Sequence, residues 1–212
     1  MIIHVVEKGE TLTQIATRYG VGINNLTADN GISAEDSLVI GQALVILVPD
    51  IIHTVRRGET LTSIAKSYGT TAIQLLRNNF RLGGKPTLTT GEQLIIKYKD
   101  ENKSRTLAVN SYAYPYIEDS LLRTQMPYLT YFAPFTYGIT AEGSLVTLND
   151  EALIRIAKEY GVHPLLHLST LTEGGGFSST RASLVFDNPG IRTDLIDEII
   201  SVTEQKGYRG VD

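Results

Sequence analysis

The chain carries one block of sequence twice. Residues 4–20 read HVVEKGETLTQIATRYG and residues 53–69 read HTVRRGETLTSIAKSYG, 49 positions apart. Agreement resumes at Asp29-Asn30 against Asn78-Asn79, and again at Gly41-Gln42-Ala43-Leu44 against Gly91-Glu92-Gln93-Leu94. By the last match the offset has become 50, so the extra residue falls in a loop. Self-similarity of this kind means two copies of one small supersecondary unit, and every other reading of the first half must respect it.

Each copy has the same local grammar. Residues 2–6 and 51–55 are short and β-prone. Gly9-Glu10 and Gly58-Glu59 then turn the chain, and Thr11 can cap a helix with Gln14 answering as in a capping box, Thr60 and Ser63 forming a weaker version. Leu12, Ile15, Ala16 and Tyr19 make one apolar stripe, repeated by Leu61, Ile64, Ala65 and Tyr68, and Gly20 and Gly69 stand where a left-handed residue closes a helix. Second helices are predicted over 23–29 and 71–78, and closing strands over 43–48 and 93–98. The order strand, helix, helix, strand implies a two-stranded sheet with both helices on one face, a small core and marginal stability. Only Val48-Pro49-Asp50 remains as a linker, which makes the orientation of the two copies fairly fixed.

Composition excludes several classes. The chain has no cysteine, so disulfides, thiolate metal sites and cysteine nucleophiles are out. The N-terminus shows no export signal and no run approaches a membrane span. Basic residues are scattered without an interleaved aromatic ladder, so no nucleic-acid footprint is present. The net charge of -4 hides a swing: residues 1–50 hold two Lys/Arg against six Asp/Glu, and residues 51–100 hold eight against three. Either the two copies meet different ligands or solvated surface has drifted.

The block HxVxxGETLxxIAxxYG, the asparagine after the second helix and the closing GxxLxI resemble the lysin motif, LysM, in both copies. That resemblance implies βααβ modules over 1–49 and 50–98 that bind N-acetylglucosamine polymers such as peptidoglycan or chitin. In that family the sugar lies between the loop after the first strand and the loop after the second helix. The resemblance carries this groove onto Gly9, Glu10, Thr11 and Leu12 with Asn30, Gly31 and Ile32, and in the second copy onto Gly58, Glu59, Thr60 and Leu61 with Asn79, Phe80 and Arg81. The same glycines, leucines and asparagines would also be kept by the fold without a ligand. For a repeating polymer, two linked modules raise each other's effective concentration.

Six polar residues at 99–104 read as a linker, and the region 105–212 has a different pattern. Strands are predicted over 107–112, 129–135 and 163–168, helices over 151–160 and 191–206, and a fourth strand begins at Tyr208. Alternating strands and helices indicate βα units around a parallel sheet. The predicted fold class is therefore multidomain, α+β then α/β: two βααβ modules followed by an incomplete (β/α)8 TIM barrel. The expectation from a series stopping inside a strand is a piece of something longer.

The segments AVNSYAYPY, YLTYFAPFTYGI, HPLLHLSTLTEGGGFS and GYRGVD resemble the glycoside hydrolase family 18 barrel, in particular the spore cortex-degrading N-acetylglucosaminidases with N-terminal LysM modules. That family's fourth strand reads DGxDxDxE, with the glutamate as proton donor and the substrate's own acetamido group as nucleophile, so no second carboxylate is implied. Asp212 matches the second aspartate, whereas Arg209 stands in the place of the first, a departure from the pattern. The third aspartate and the glutamate would follow Asp212 by two and four positions, and without the glutamate these 212 residues are expected to be inactive. Tyr112, Tyr114, Phe135 and Tyr137 are read as either sugar-stacking residues of the barrel cleft or ordinary packing.

His163 and His167 share a strand face but have no carboxylate cluster in sequence, and are read as structural rather than metal-binding. Gly174-Gly175-Gly176 lacks the phosphate-loop pattern, and Ser169, Ser178 and Ser179 lack a nucleophile elbow. No cofactor or metal is expected. The expected partner is peptidoglycan or another N-acetylglucosamine polymer, at the spore cortex, coat or cell wall, with the oligomeric state left open. The other readings are a noncatalytic wall or coat protein with a degenerate third domain and, less favoured, a tail completed by a partner chain.

Overall fold

A computed structural model describes residues 1–99 and 106–212. They form two compact units, Met1–Thr106 and Leu107–Asp212. The linker predicted over 99–104 lies, apart from Lys99, outside the described residues.

The first unit contains the repeat as two βααβ modules. Module 1 is β1 (Ile2–Val5), α1 (Leu12–Tyr19), α2 (Ile23–Asn30) and β2 (Ala43–Ile46). Module 2 is β3 (Pro49–Thr54), α3 (Leu61–Ser67), α4 (Ala72–Asn78) and β4 (Gln93–Tyr98), with a 3-10 turn at Phe80–Leu82. In each module the first and last strands pair antiparallel, Ile2 opposite Ile46 and Pro49 opposite Tyr98.

Both predicted capping boxes form. The Thr11 hydroxyl accepts from the Gln14 N–H at 3.2 Å while the Gln14 side chain accepts from the Thr11 N–H at 2.9 Å. The shorter Ser63 completes the same exchange with Thr60. Gly9 and Gly58 turn the chain at φ 85° and 84°, a left-handed conformation that side-chain-bearing residues resist. Leu12, Ile15 and Ala16 are buried with Leu26, Leu44 and Ile46 to make the core of module 1. The fourth residue of each predicted stripe stays at the rim: Tyr19 is half-buried and Tyr68 is 41% exposed, because each hydroxyl bonds a histidine there.

The junction differs from its prediction. Pro49 and Asp50 belong to β3, so only two residues separate the modules' strands. Proline is tolerated as a strand's first residue because no ladder donor is needed there. The Val48 carbonyl accepts from Lys99 N–H at 2.8 Å, closing the start of module 2 onto its end.

The second unit runs β5 (Asn110–Ala113), α5 (Asp119–Gln125), β6 (Tyr131–Pro134), β7 (Gly138–Ile139), β8 (Leu145–Val146), α6 (Glu151–Glu159), β9 (His163–Pro164), α7 (Ser179–Asp187) and α8 (Pro189–Lys206). Strands β5, β6 and β9 make a parallel sheet in that order. The third predicted strand is regular only over its first two residues, and the fourth is a single parallel bridge, Leu166 to Val211. Backbone bonds continue the line nonetheless: Leu166 N–H reaches Gly210, and Asp212 N–H reaches Leu166. The result is an open β/α layer with four parallel segments.

In the second unit α5, the β7–β8 hairpin, α7 and a 3-10 turn at Met126–Tyr128 have no counterpart in the sequence reading. Helix α5 buries only Leu122 and α7 only Val185, so neither shows a readable apolar stripe. The interior instead gathers Tyr137, Ile139, Leu145, Ile154, Leu166, Leu195 and Tyr208. Asp150 lies fully buried among them, accepting from the Tyr137 hydroxyl at 2.5 Å, from the Tyr208 hydroxyl and from Lys206 Nζ at 2.6 Å. Burial, then the bond to Asp150, pushes Tyr137 up to about 12. Tyr208 is raised for the same two reasons, so both phenols remain donors at any ordinary pH.

Candidate functional site

The residues that the LysM resemblance places in the grooves divide by what already occupies them. The Glu10 carboxylate accepts from Glu7 N–H at 2.8 Å, meets His4 Nε2 at 2.8 Å and pairs with Arg18 at 2.7 Å. These contacts, the backbone bond foremost and burial opposing it, hold Glu10 below the usual carboxylate range. Glu59 repeats the arrangement with Arg56 N–H and His53 Nε2, both at 2.7 Å, and is lowered likewise. His4 and His53 each reach a tyrosine hydroxyl, Tyr19 or Tyr68, at 3.1 Å through the other ring nitrogen. A histidine thus ties the first strand, the turn and the end of the first helix together in both modules. Sequence reasoning misses this lock, although the paired recurrence of His, Glu and Tyr is its signal.

Asn30 and Asn79 are clamps. The Asn79 amide nitrogen donates to the Leu75 and Ile95 carbonyls at 2.8 and 2.9 Å, and its oxygen accepts from Ile95 N–H at 2.9 Å. Asn30 does the same with Leu26 and Val45. Both amides are spent on pinning a helix end to the closing strand. Leu12 and Leu61 are buried, and Thr11 and Thr60 are engaged in their capping boxes. Toward solvent these loops present the backbone at Gly9, Gly31 and Gly58, the half-buried Ile32, and in module 2 the exposed Phe80 and Arg81. Arg81 pairs with Glu92 at 3.0 Å and donates to the Gln93 carbonyl. Of the residues the LysM resemblance assigns to a groove, these are the ones that face solvent, and Phe80 and Arg81 distinguish module 2 from module 1.

In the second unit, three of the four aromatic residues converge. Tyr112, Tyr114 and Phe135 line a pocket of about 320 Å³ together with Ala113 and His167, at the ends of β5 and β6. Tyr137 faces the other way, 1% exposed, into the Asp150 cluster, which is the packing alternative of its two readings. A polar atom sits beside the pocket: Asp212 Oδ2 accepts from the Tyr112 hydroxyl at 2.8 Å and meets His167 Nδ1 at 2.8 Å. The hydrogen bond to the Asp212 carboxylate raises Tyr112 above its ordinary value. Phe135 stacks on the His167 ring, and Tyr112 packs its edge against it. Tyr116, 80% exposed, stacks on Tyr114 with an interplanar angle of 9°. From sequence alone His167 reads as a structural residue; its carboxylate partner lies 45 residues on, beyond the reach of local pattern. His163 lies outside this pocket, beside Tyr131. Among the described residues no group of His, Asp and Glu could hold a metal, and no helix is long and apolar enough to cross a membrane.

Residues 4–47 and 53–97, the two βααβ modules, each match the LysM domain family. Over its whole length the chain is 32% identical to YdhD of Bacillus subtilis (strain 168), provisionally named a sporulation-specific glycosylase, and it covers 49% of that protein. It is also 32% identical to the cortical fragment-lytic enzyme of the same organism, again covering 49% of it. The crystal structure of the Bacillus cereus spore cortex-lytic enzyme SleL superposes with a TM-score of 0.66 at 28% identity, over 99% of this chain and 49% of that one. The chain spans about half the length of the relatives it matches.

Proposed function

We propose that the paired LysM domains hold this protein on the N-acetylglucosamine-rich glycan of the cell wall or spore cortex, and that the second unit is the first part of a family 18 glycosidase barrel directed there by them. The observation that carries the reading is the joint one: two complete LysM folds precede a parallel β/α layer, and the whole arrangement recurs in proteins named for cortical lysis. Peptidoglycan is preferred over chitin as the natural polymer on the strength of those names. The Tyr112–Asp212–His167 cluster beside an aromatic pocket supports the second half, because a carboxylate fixed by two donors is suited to orienting a substrate amide.

In this reading Asp212 positions and polarises, Tyr112 and His167 hold its carboxylate in place, and Tyr114 with Phe135 offers ring faces to a pyranose. The general acid of the family motif would stand four residues after Asp212, and turnover is proposed to depend on it.

Pull-down of the intact chain and of each module with purified cortex, vegetative peptidoglycan and chitin tests the first part. Retention on peptidoglycan by the pair, exceeding that of either module, is the expected result. Equal retention by pair and halves, or none, refutes it. Arg209, standing where the motif has its first aspartate, favours a second reading in which the third region binds without catalysis. Turnover of cortex fragments by the protein extended past Asp212 decides between the two.

A further inference from the structure

A cleft of about 350 Å³ lies within the first unit where the two modules meet, and of the residues assigned to the grooves only Arg81 lines it. Its apolar wall is Ile23 from the start of α2 with Ile52 and Ile95 from the sheet of module 2. Around it stand the side-chain amides of Asn24, Asn25 and Gln93, none of which has a hydrogen-bond partner within the described protein, and the guanidinium of Arg81. Arg81 is matched by Glu92 at 3.0 Å, which leaves the cleft without net charge while part of the guanidinium's set of five N–H donors stays unspent.

Apolar wall, free amides and no net charge are complementary to one kind of ligand. An acetamido methyl or the flat C–H face of a pyranose suits the isoleucines, and hydroxyl and amide groups suit Asn24, Asn25 and Gln93. An anionic substituent gains little, because Glu92 stands beside the cleft's cation. Arg81 lines the cleft and is also among the residues the LysM resemblance assigns to the groove of module 2, so one side chain is common to both.

Resting on the glycan-binding reading above, we propose that the junction between the two LysM domains is a third contact site, which takes an uncharged N-acetylhexosamine unit and joins the grooves into one extended binding surface. On this account the pair is a single reader of long glycan rather than two beads on a string, and its gain over one module exceeds what tethering alone supplies.

The test uses the intact chain and uncharged N-acetylglucosamine oligomers, a dimer and a hexamer, followed by calorimetry and by amide and side-chain NMR shifts. The hexamer is expected to move the resonances of residues 22–25, 52 and 93 as well as those of the grooves, with an affinity insensitive to salt. Replacing Asn24 and Asn25 together by Ala should lower hexamer affinity about tenfold, the scale of one or two neutral hydrogen bonds, and leave dimer affinity unchanged. Gln93→Ala should act in the same direction from the other module, which guards against a local folding artefact in α2. Groove shifts without junction shifts, or an unaltered hexamer affinity in both variants, overturns the third site and leaves the LysM reading intact. No shift anywhere with either oligomer overturns both.

Discussion

Asp29 and Asn78 occupy the same place in the two modules, and the difference between them should set a pH dependence in only one. Asn78 donates to the Ile96 carbonyl at 2.8 Å and accepts from Gln74 at 2.9 Å. A carboxylate at this place can accept but cannot donate, and burial pushes Asp29 up to about 6. A carboxyl that holds its proton more tightly folded than unfolded supports the fold fully at low pH. That support is lost as pH rises from about 4 through about 6. A carboxyl whose pKa climbs over that range on folding is worth at most about 3 kcal/mol. Because Asp29 is only half-buried, solvent screening reduces this to about 1–2 kcal/mol. Asp29→Asn restores the donor its counterpart has, worth about 1 kcal/mol more. The variant should therefore be more stable than the parent by about 2 kcal/mol near pH 8 and nearly equal to it near pH 4. Urea unfolding followed through amide resonances of residues 12–46 measures this at both pH values. A stability difference of the same size at both, or a variant less stable at high pH, refutes the reasoning.

Other perturbations act on features of equal definition. Asn79→Ala removes three hydrogen bonds and orphans the buried Ile95 backbone groups, so module 2 should lose about 3 kcal/mol, read as faster hydrogen exchange over residues 72–98. Asp150→Ala leaves Lys206 and two buried phenols without their acceptor and should cost the second unit about 3–5 kcal/mol in thermal unfolding; an unchanged melting temperature would contradict the burial of that cluster. Asp212→Asn takes away the anion that keeps the Tyr112 proton in place, so the phenol should titrate at lower pH than in the parent, seen in its ring-carbon shifts.

The modules are legible in the sequence because their constraints are local. Capping pairs three residues apart, stripes at helical spacing and turn glycines are all written within one turn of chain, and duplication states each of them twice. The grooves are placed by resemblance, and there sequence pattern cannot separate ligand contact from architecture: Asn30, Asn79, Glu10 and Glu59 turn out to be engaged with backbone and neighbours. In the second unit the limits are those of distance. Tyr112 and Asp212 are 100 residues apart, and nothing near either announces the other. Tyr137 resembles its aromatic neighbours in sequence, and the two-residue spacing from Phe135 would keep both on one face of a continuous strand. Yet β6 ends at Pro134 and the chain bends at Phe135, so Tyr137 turns to the other side, where Asp150 takes its hydroxyl. Helices α7 and α8 each bury a single residue, but α8 is bracketed by Pro189 and Gly207, whereas α7 has neither an N-cap side-chain bond nor a closing glycine to mark it.

The pairing of Ile2 with Ile46, and of Pro49 with Tyr98, puts the entrance and exit of each module side by side. A module pulled between those two ends bears load across the sheet's hydrogen bonds one rung at a time, as a zip opens from its end, rather than against all rungs in parallel. Tension applied between those two ends should thus open a module at low force.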